Sequence, residues 1–239
     1  CDDRYLKLFG ELPWAWRPME TIPTVKFLDN LAKGRPVYDV DTLRSYVRAD
    51  LVLLEAVQPD VVVGDFRISL GVSARVAGVP YFTITNAYWS PYSRLPFPLP
   101  EHPMTKVFGV GLSQTLFNLA RPAVFTLHTL PLNRVRREYG LPGLGVDVRK
   151  IYTDADCTLY ADIPELIPTA PLPPHHHWLG PVLWSPVMEP PDWWARLPED
   201  RPIVYVALGS SGENERALPI ILRGLAELPV TVIAATAGQ

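Results

Sequence analysis

Apolar and polar positions along this chain follow two rhythms. Leu43, Val47, Leu51, Leu54 and Val57 recur at helical spacing, and Asp41-Thr42 in front and Pro59 behind predict a helix with a cap and a stop. The rhythm then breaks. Val61-Val62-Val63 is a short β-branched run, apolar throughout, as suits a strand buried on both faces. Ser69 to Ala77 reads as a crossover helix, Gly78 as its terminator, and Tyr81 to Ile84 as the next parallel strand. Near the other end, Arg201-Pro-Ile-Val-Tyr-Val-Ala-Leu208 runs through Gly209-Ser210-Ser211-Gly212 into a helical stretch and a further strand at 230–234. These two strand-loop-helix-strand units predict two separate parallel sheets.

Between the units the pattern is less regular. Residues 1–40 interleave prolines with Trp14, Trp16 and Phe27 and read as loops and short helices. Thr85 to Pro103 is a loop dense in proline and aromatic residues, a length that is often functional. Thr105 to Tyr139 reads as a helical region broken near Pro122 and Pro131, and Cys157 to Tyr160 as a short strand. Pro164 to Pro202, which includes His175-His176-His177, reads as an extended connector. No solenoid-like repeat is visible.

Composition narrows the class. The chain has 239 residues, 48% of them hydrophobic, enough for one large or two ordinary domains with a real core. A formal charge of -3, from 22 basic and 25 acidic residues without blocks of like sign, argues against a nucleic-acid partner. Cys1 and Cys157 lie far apart and match neither a disulfide framework nor a metal-ligand spacing, which suits a reduced, cytoplasmic setting. No run of about 18 apolar residues is present, so a membrane span is not expected, nor is a signal peptide. The chain begins at Cys1 without a leading strand and stops at Gln239 just after the second unit's last strand, so a central fragment of a longer protein is expected.

Asp65 is the first candidate for chemistry. It ends the first strand, and ligands of open parallel sheets bind outside the carboxyl ends of the strands. It has three readings: a helix N-cap, an ion pair with Arg67, or a carboxylate that orients and charge-stabilises a catalytic imidazole. His102 and His128 offer no evident local partner. Gly209-Ser210-Ser211, between a strand and a helix, can cradle a diphosphate with backbone N–H groups, or be an ordinary turn. Tyr88 and Trp89 are either a stacking wall for an apolar ligand or core. Adjacent histidines point in different directions, so the His175–His177 run is not read as a metal site.

Taken together, Gln58-Pro-Asp-Val-Val-Val-Gly-Asp65, Gly78-Val-Pro80, Gly180-Pro-Val-Leu-Trp184 and Val204-Tyr-Val-Ala-Leu-Gly-Ser-Ser211 resemble the UDP-glycosyltransferase family. The resemblance covers about residues 40–239 and implies a GT-B type α/β fold of two Rossmann-like domains with parallel sheets, both incomplete here. It implies an acceptor-binding domain over residues 1–184, a linker over 185–201, and the start of a nucleotide-sugar-binding domain over 202–239. By that resemblance Asp65 pairs with a histidine absent from this chain. Gly209, Ser210 and Ser211 bind the donor diphosphate, and Phe66, Asn86, Tyr88 and Trp89 line an acceptor pocket. The implied activity is inverting transfer of a hexosyl group from a nucleotide-diphosphate sugar to a hydroxyl of a small apolar acceptor. It needs neither metal nor cofactor, and the fragment alone is expected to be inactive. Two alternatives share the fold: a catalytically silent binding or accessory protein, and another GT-B enzyme such as a sugar-nucleotide epimerase.

Overall fold

The computed structural model describes residues 9, 12–19, 21–99, 104–185, 189–209 and 214–235. The chain divides into two units, Cys1–Ser185 and Pro186–Gln239.

The first unit is built on a four-stranded parallel sheet in the order β1 (Val62–Asp65), β2 (Tyr81–Thr85), β3 (Cys157–Tyr160) and β4 (His176–Trp178). Its helices are α1 (Thr24–Ala32), α2 (Val40–Val57), α3 (Leu70–Ala77), α4 (Met104–Glu138) and the single turn α5 (Arg149–Tyr152). Asp65 lies opposite Ile84 and Thr85 opposite Tyr160, so the loops after β1, β2 and β3 leave the same edge of the sheet. That edge carries the candidate site.

Helix α2 starts two to three residues earlier than the Asp41-Thr42 reading. Asp39 is the extended N-cap and accepts from the Thr42 N–H at 2.7 Å, while Asp41 sits in the first turn and pairs with Arg44. The helix stops at Gln58, which takes a left-handed conformation before Pro59. Helix α3 ends as expected on Gly78, at φ 70°. One apolar core joins Leu43 and Val47 of α2, Val72 of α3, Leu132 and Val135 of α4, and Ile151 of α5. Leu70 and Ala74 of α3 pack with Tyr81 of β2 and Val62 of β1 in a second cluster.

Three expectations require correction. The Val61-Val63 run is not buried on both faces: Val61 is 45% and Val63 54% exposed. Among the described residues β1 is the outer strand, paired only with β2, and its covered face is the one carrying Val62 and Gly64. Secondly, α4 runs on through Pro122 and Pro131, and its interruption is at Gly109, at φ 70° and ψ 168°. A proline removes one backbone donor but has a helical φ, and the core packing of Leu132 and Val135 holds the segment helical. Thirdly, the proline-rich connector contains β4. Its three residues are drawn into the sheet by the Thr158 N–H on the His175 carbonyl and the Leu179 N–H on the Tyr160 carbonyl, both 2.8 Å. A three-residue strand is too short to show a period.

The second unit carries β5 (Ile203–Ala207), α6 (Asn214–Leu225) and β6 (Thr231–Ala235), with β5 and β6 parallel in register from Ile203 opposite Thr231 to Ala207 opposite Ala235. Both predicted sheets are therefore present and separate.

Candidate active site

Gly64 places Asp65. A Cβ at residue 64 would stand 2.6 Å from Leu70 Cδ1 and 3.2 Å from the Tyr81 ring, so glycine lets β1 approach α3 and β2 this closely without displacing either side chain. The next side chain, Asp65, then emerges on the uncovered face at the strand's end. Neither structural reading of Asp65 holds. The N-cap position of α3 is taken by Ser69, and Arg67 pairs instead with Asp50, its Nε donating to Asp50 Oδ1 at 2.8 Å. Among the described residues the Asp65 carboxylate has neither hydrogen-bond nor ion-pair partner, and partial burial pushes its pKa up. Asp65 itself remains open to solvent at the strand's end, where a cationic partner can reach it.

Phe66, the following residue, has φ 50°, a left-handed conformation that is costly for a bulky side chain and that clusters at functional sites. The conformation has a geometric consequence: Asp65 and Phe66 line one cavity of about 360 Å³, together with Thr21, Thr24, Phe27, Tyr38 and Tyr46. A second cavity of about 350 Å³ shares Phe27, Tyr38 and Phe66 with the first and is closed by Trp89, Phe125, His128, Val148 and Tyr152. Its walls are mostly aromatic. The Tyr152 ring lies 5.5 Å from Phe66 and 5.3 Å from Trp89, in tilted contact. Burial pushes the Tyr152 phenol up to about 12 and raises that of Tyr38, so both stay protonated donors. Neither hydroxyl has a hydrogen-bond partner among the described residues. Burial lowers the pKa of His128, which keeps the ring neutral at neutral pH.

Of the predicted acceptor residues, Phe66 and Trp89 come together in the aromatic cavity. Tyr88 does not line either cavity but packs on Phe97 and Trp89, at 5.0 and 5.7 Å. Asn86 is exposed and heads a short 3-10 turn, its carbonyl accepting from the Trp89 N–H at 3.0 Å. Neither side chain therefore lines this cavity, because the turn over Ala87–Trp89 rotates consecutive side chains apart. Tyr38, Phe125, His128 and Tyr152 were not identified as pocket residues in the sequence. They come from three separate segments, Phe125 and His128 both lying on α4, so no local pattern marks them; a cavity signal exists only once the chain is folded.

In the second unit Gly209 follows β5 at φ 74°, a conformation that glycine adopts freely. Ser210 and Ser211, predicted beside it, lie outside the described residues, as does His102. The His175–His177 run belongs to β4 and its approach: His176 is 8% exposed, and its Nδ1 meets the Tyr160 hydroxyl at 2.6 Å, which in turn donates to Ser90 Oγ at 2.7 Å. This cluster ties the loop after β2 to the sheet. Asp162 adds a second tie, accepting from the Ala87 N–H at 2.6 Å.

No protein-family model matches the chain. It is 55% identical over 239 residues to a PGL/p-HBAD biosynthesis glycosyltransferase of Mycobacterium tuberculosis, covering 100% of this chain and 56% of that protein. It is 56% identical over 239 residues to a PGL/p-HBAD biosynthesis rhamnosyltransferase of Mycobacterium bovis, covering 100% of this chain and 53% of that protein. A further Mycobacterium bovis relative, named an inactive PGL/p-HBAD biosynthesis glycosyltransferase, is 53% identical over 225 residues, 94% of this chain and 61% of that protein. The chain thus spans between 53 and 61% of the length of these curated relatives. Among solved structures, that of the glycosyltransferase SnogD from Streptomyces nogalater superposes with a TM-score of 0.48 at 16% identity, covering 98% of this chain and 52% of that one. The resemblance to glycosyltransferases drawn from the four sequence segments is borne out by the curated relatives, which match along the whole chain.

Proposed function

We propose, for a chain homologous along its length to glycosyltransferases, that the protein carrying it is an inverting glycosyltransferase. It would move a sugar from a nucleotide-diphosphate donor to a hydroxyl of a small apolar acceptor. One observation carries the reading: the unpaired Asp65 carboxylate ends β1 in a cavity that shares its wall with an aromatic cavity of about 350 Å³. The acceptor enters the aromatic cavity, its rings or chain against Phe66, Trp89 and Phe125, with the Tyr38 and Tyr152 hydroxyls to orient any polar substituent.

The chemistry balances without an added reagent. An imidazole, which the family pattern pairs with this aspartate, takes the acceptor O–H proton. The oxygen attacks the anomeric carbon from the face opposite the diphosphate, the C–O bond to the diphosphate breaks with its electron pair, and the configuration inverts. Asp65 holds the imidazole and stabilises the imidazolium that forms. The amides around Gly209 to Ser211 are proposed to receive the departing diphosphate charge. This scheme calls on neither metal nor cofactor. The relative named a rhamnosyltransferase makes a rhamnosyl donor a candidate.

A second reading, a catalytically silent binding protein, is favoured by the relative named inactive. Turnover of full-length protein with a panel of nucleotide-diphosphate sugars, rhamnosyl donors included, and apolar alcohols and phenols separates the two. The enzyme reading predicts transfer that Asp65→Asn lowers by roughly two to four orders of magnitude with the fold intact. Saturable donor binding without transfer supports the silent reading.

A further inference from the structure

Resting on the reading of Asp65 as the imidazole's partner, we infer that Asp50 and Arg67 are positioning residues: a buried ion pair that holds the Asp65-Phe66 corner in its productive shape. The corner needs such support because Phe66 is held at φ 50°, from which an unsupported chain would relax and carry the Asp65 carboxylate with it. Arg67 is the next residue, and it is fixed from three sides. Its Nε donates to Asp50 Oδ1 at 2.8 Å, and its Nη2 lies 2.7 Å from the same oxygen. Its guanidinium lies over the Tyr46 ring, 4.7 Å from the centroid. Its backbone carbonyl accepts from the Tyr81 hydroxyl at 3.5 Å.

Asp50 is itself anchored. It sits on α2 with a side chain 1% exposed, and its second oxygen accepts from Ser73 Oγ of α3 at 3.1 Å. Through this one carboxylate, α2 and α3 both grip the residue that follows Phe66. Tyr46, under the guanidinium, is held in turn by accepting from the Ile22 N–H at 2.5 Å. The pair therefore does more than join two helices. Arg67 adjoins the Asp65-Phe66 corner and lines the first cavity beside it, and a displacement of about 1 Å at a reacting group costs about a hundredfold in rate.

The test is a double-mutant cycle in the full-length protein, with kcat, KM and Tm measured for Asp50→Asn, Asp65→Asn and both together. The expected result is a 10- to 100-fold loss in kcat for Asp50→Asn, on the order set by displaced catalytic groups. The donor KM stays nearly unchanged, and in the Asp65→Asn background Asp50→Asn costs no further kcat. Arg67→Lys, which keeps the charge but not the fork, gives a smaller loss with the same non-additivity. If Asp50→Asn fails to fold, Arg67→Lys and Ser73→Ala carry the cycle. Equal losses in both backgrounds, or a lower Tm with kcat unchanged, would reduce the pair to a fold-stabilising contact and overturn the inference while leaving Asp65 catalytic. An unchanged kcat in Asp65→Asn alone overturns the functional reading first, and this inference with it.

Discussion

Two aspartates at opposite edges of the same sheet live under opposite rules. Asp154 stands just ahead of β3 and is held by two arginines: Arg75 Nη2 at 2.9 Å from Oδ1, and Arg136 Nη1 on Oδ2. Both arginines also donate to the Gly71 carbonyl, so α3, α4 and the entry to β3 are locked together. Gly71 permits this approach, since a Cβ there would stand 2.8 Å from Asp154 Oδ2. Asp65, at the carboxyl edge, has no such partner among the described residues. Burial raises the pKa of both groups, but only at Asp154 do neighbouring guanidinium charges oppose the rise. In a parallel α/β sheet the entry edge can be closed by packing and pairing, while the exit edge is where loops diverge and a ligand finds room. Asp154 is satisfied inside the fold, whereas Asp65 is left open to solvent and to a ligand.

The contrast can be broken most forcefully at Asp154. Asp154→Ala leaves Arg136, whose side chain is 3% exposed, charged and unpaired in the core, and is expected to destabilise the fold by about 3–5 kcal/mol. Denaturant unfolding of the variant measures it, and a loss below about 1 kcal/mol would remove the distinction between the two edges. Gly64→Ala comes next. Its new Cβ collides with Leu70 and Tyr81, which predicts a loss of about 1–3 kcal/mol together with displacement of Asp65, seen as reduced turnover in the folded fraction.

A smaller effect is expected at Tyr152. Tyr152→Phe deletes a hydroxyl without a partner among the described residues, so stability should hold. KM for a polar-substituted acceptor should rise by about a factor of ten, the worth of one hydrogen bond. An unchanged KM would leave the cavity as apolar packing only.

The last effect, confined to acid pH, belongs to His176. Its pKa is pushed down to about 4, first by burial and then by His175 and His177. The folded value lies below the unfolded value near 6.5, so the unfolded chain binds the proton more readily. The contribution is present in full above pH 6.5 and is lost as pH falls toward 4. His176→Gln should flatten this part of the stability-pH curve, a change of at most about 3 kcal/mol between pH 6.5 and 4, read by denaturant unfolding across that range.

Much of the sheet was legible in sequence because its signals are local. Gly78 after the Ser69–Ala77 stretch and the β-branched strands around it mark one crossover, and the Ile203–Ala207 and Thr231–Ala235 strands mark the other. Asp65 was legible for the same reason, since a carboxylate directly after Val62-Val63-Gly64 can only be at a strand's end. What was not legible depends on pairings between distant segments. β4 exists because His176 to Trp178 finds β3, about twenty residues away, and nothing in its own composition announces a strand. Helix α4 crosses two prolines because its later turns are packed in the core, which outweighs local propensity. The aromatic cavity gathers Tyr38, Trp89, His128 and Tyr152 from four distant segments, and Asn86 and Tyr88 do not line it.

The most direct test sets the two aspartates side by side: kcat and Tm of full-length protein carrying Asp65→Asn or Asp154→Asn, measured with the same donor and acceptor. The predicted result is a crossing, with Asp65→Asn slow by roughly two to four orders of magnitude at an unchanged Tm and Asp154→Asn marked by a lowered Tm with kcat of the folded protein nearly intact. A folded Asp65→Asn variant that turns over at the wild-type rate would contradict the account.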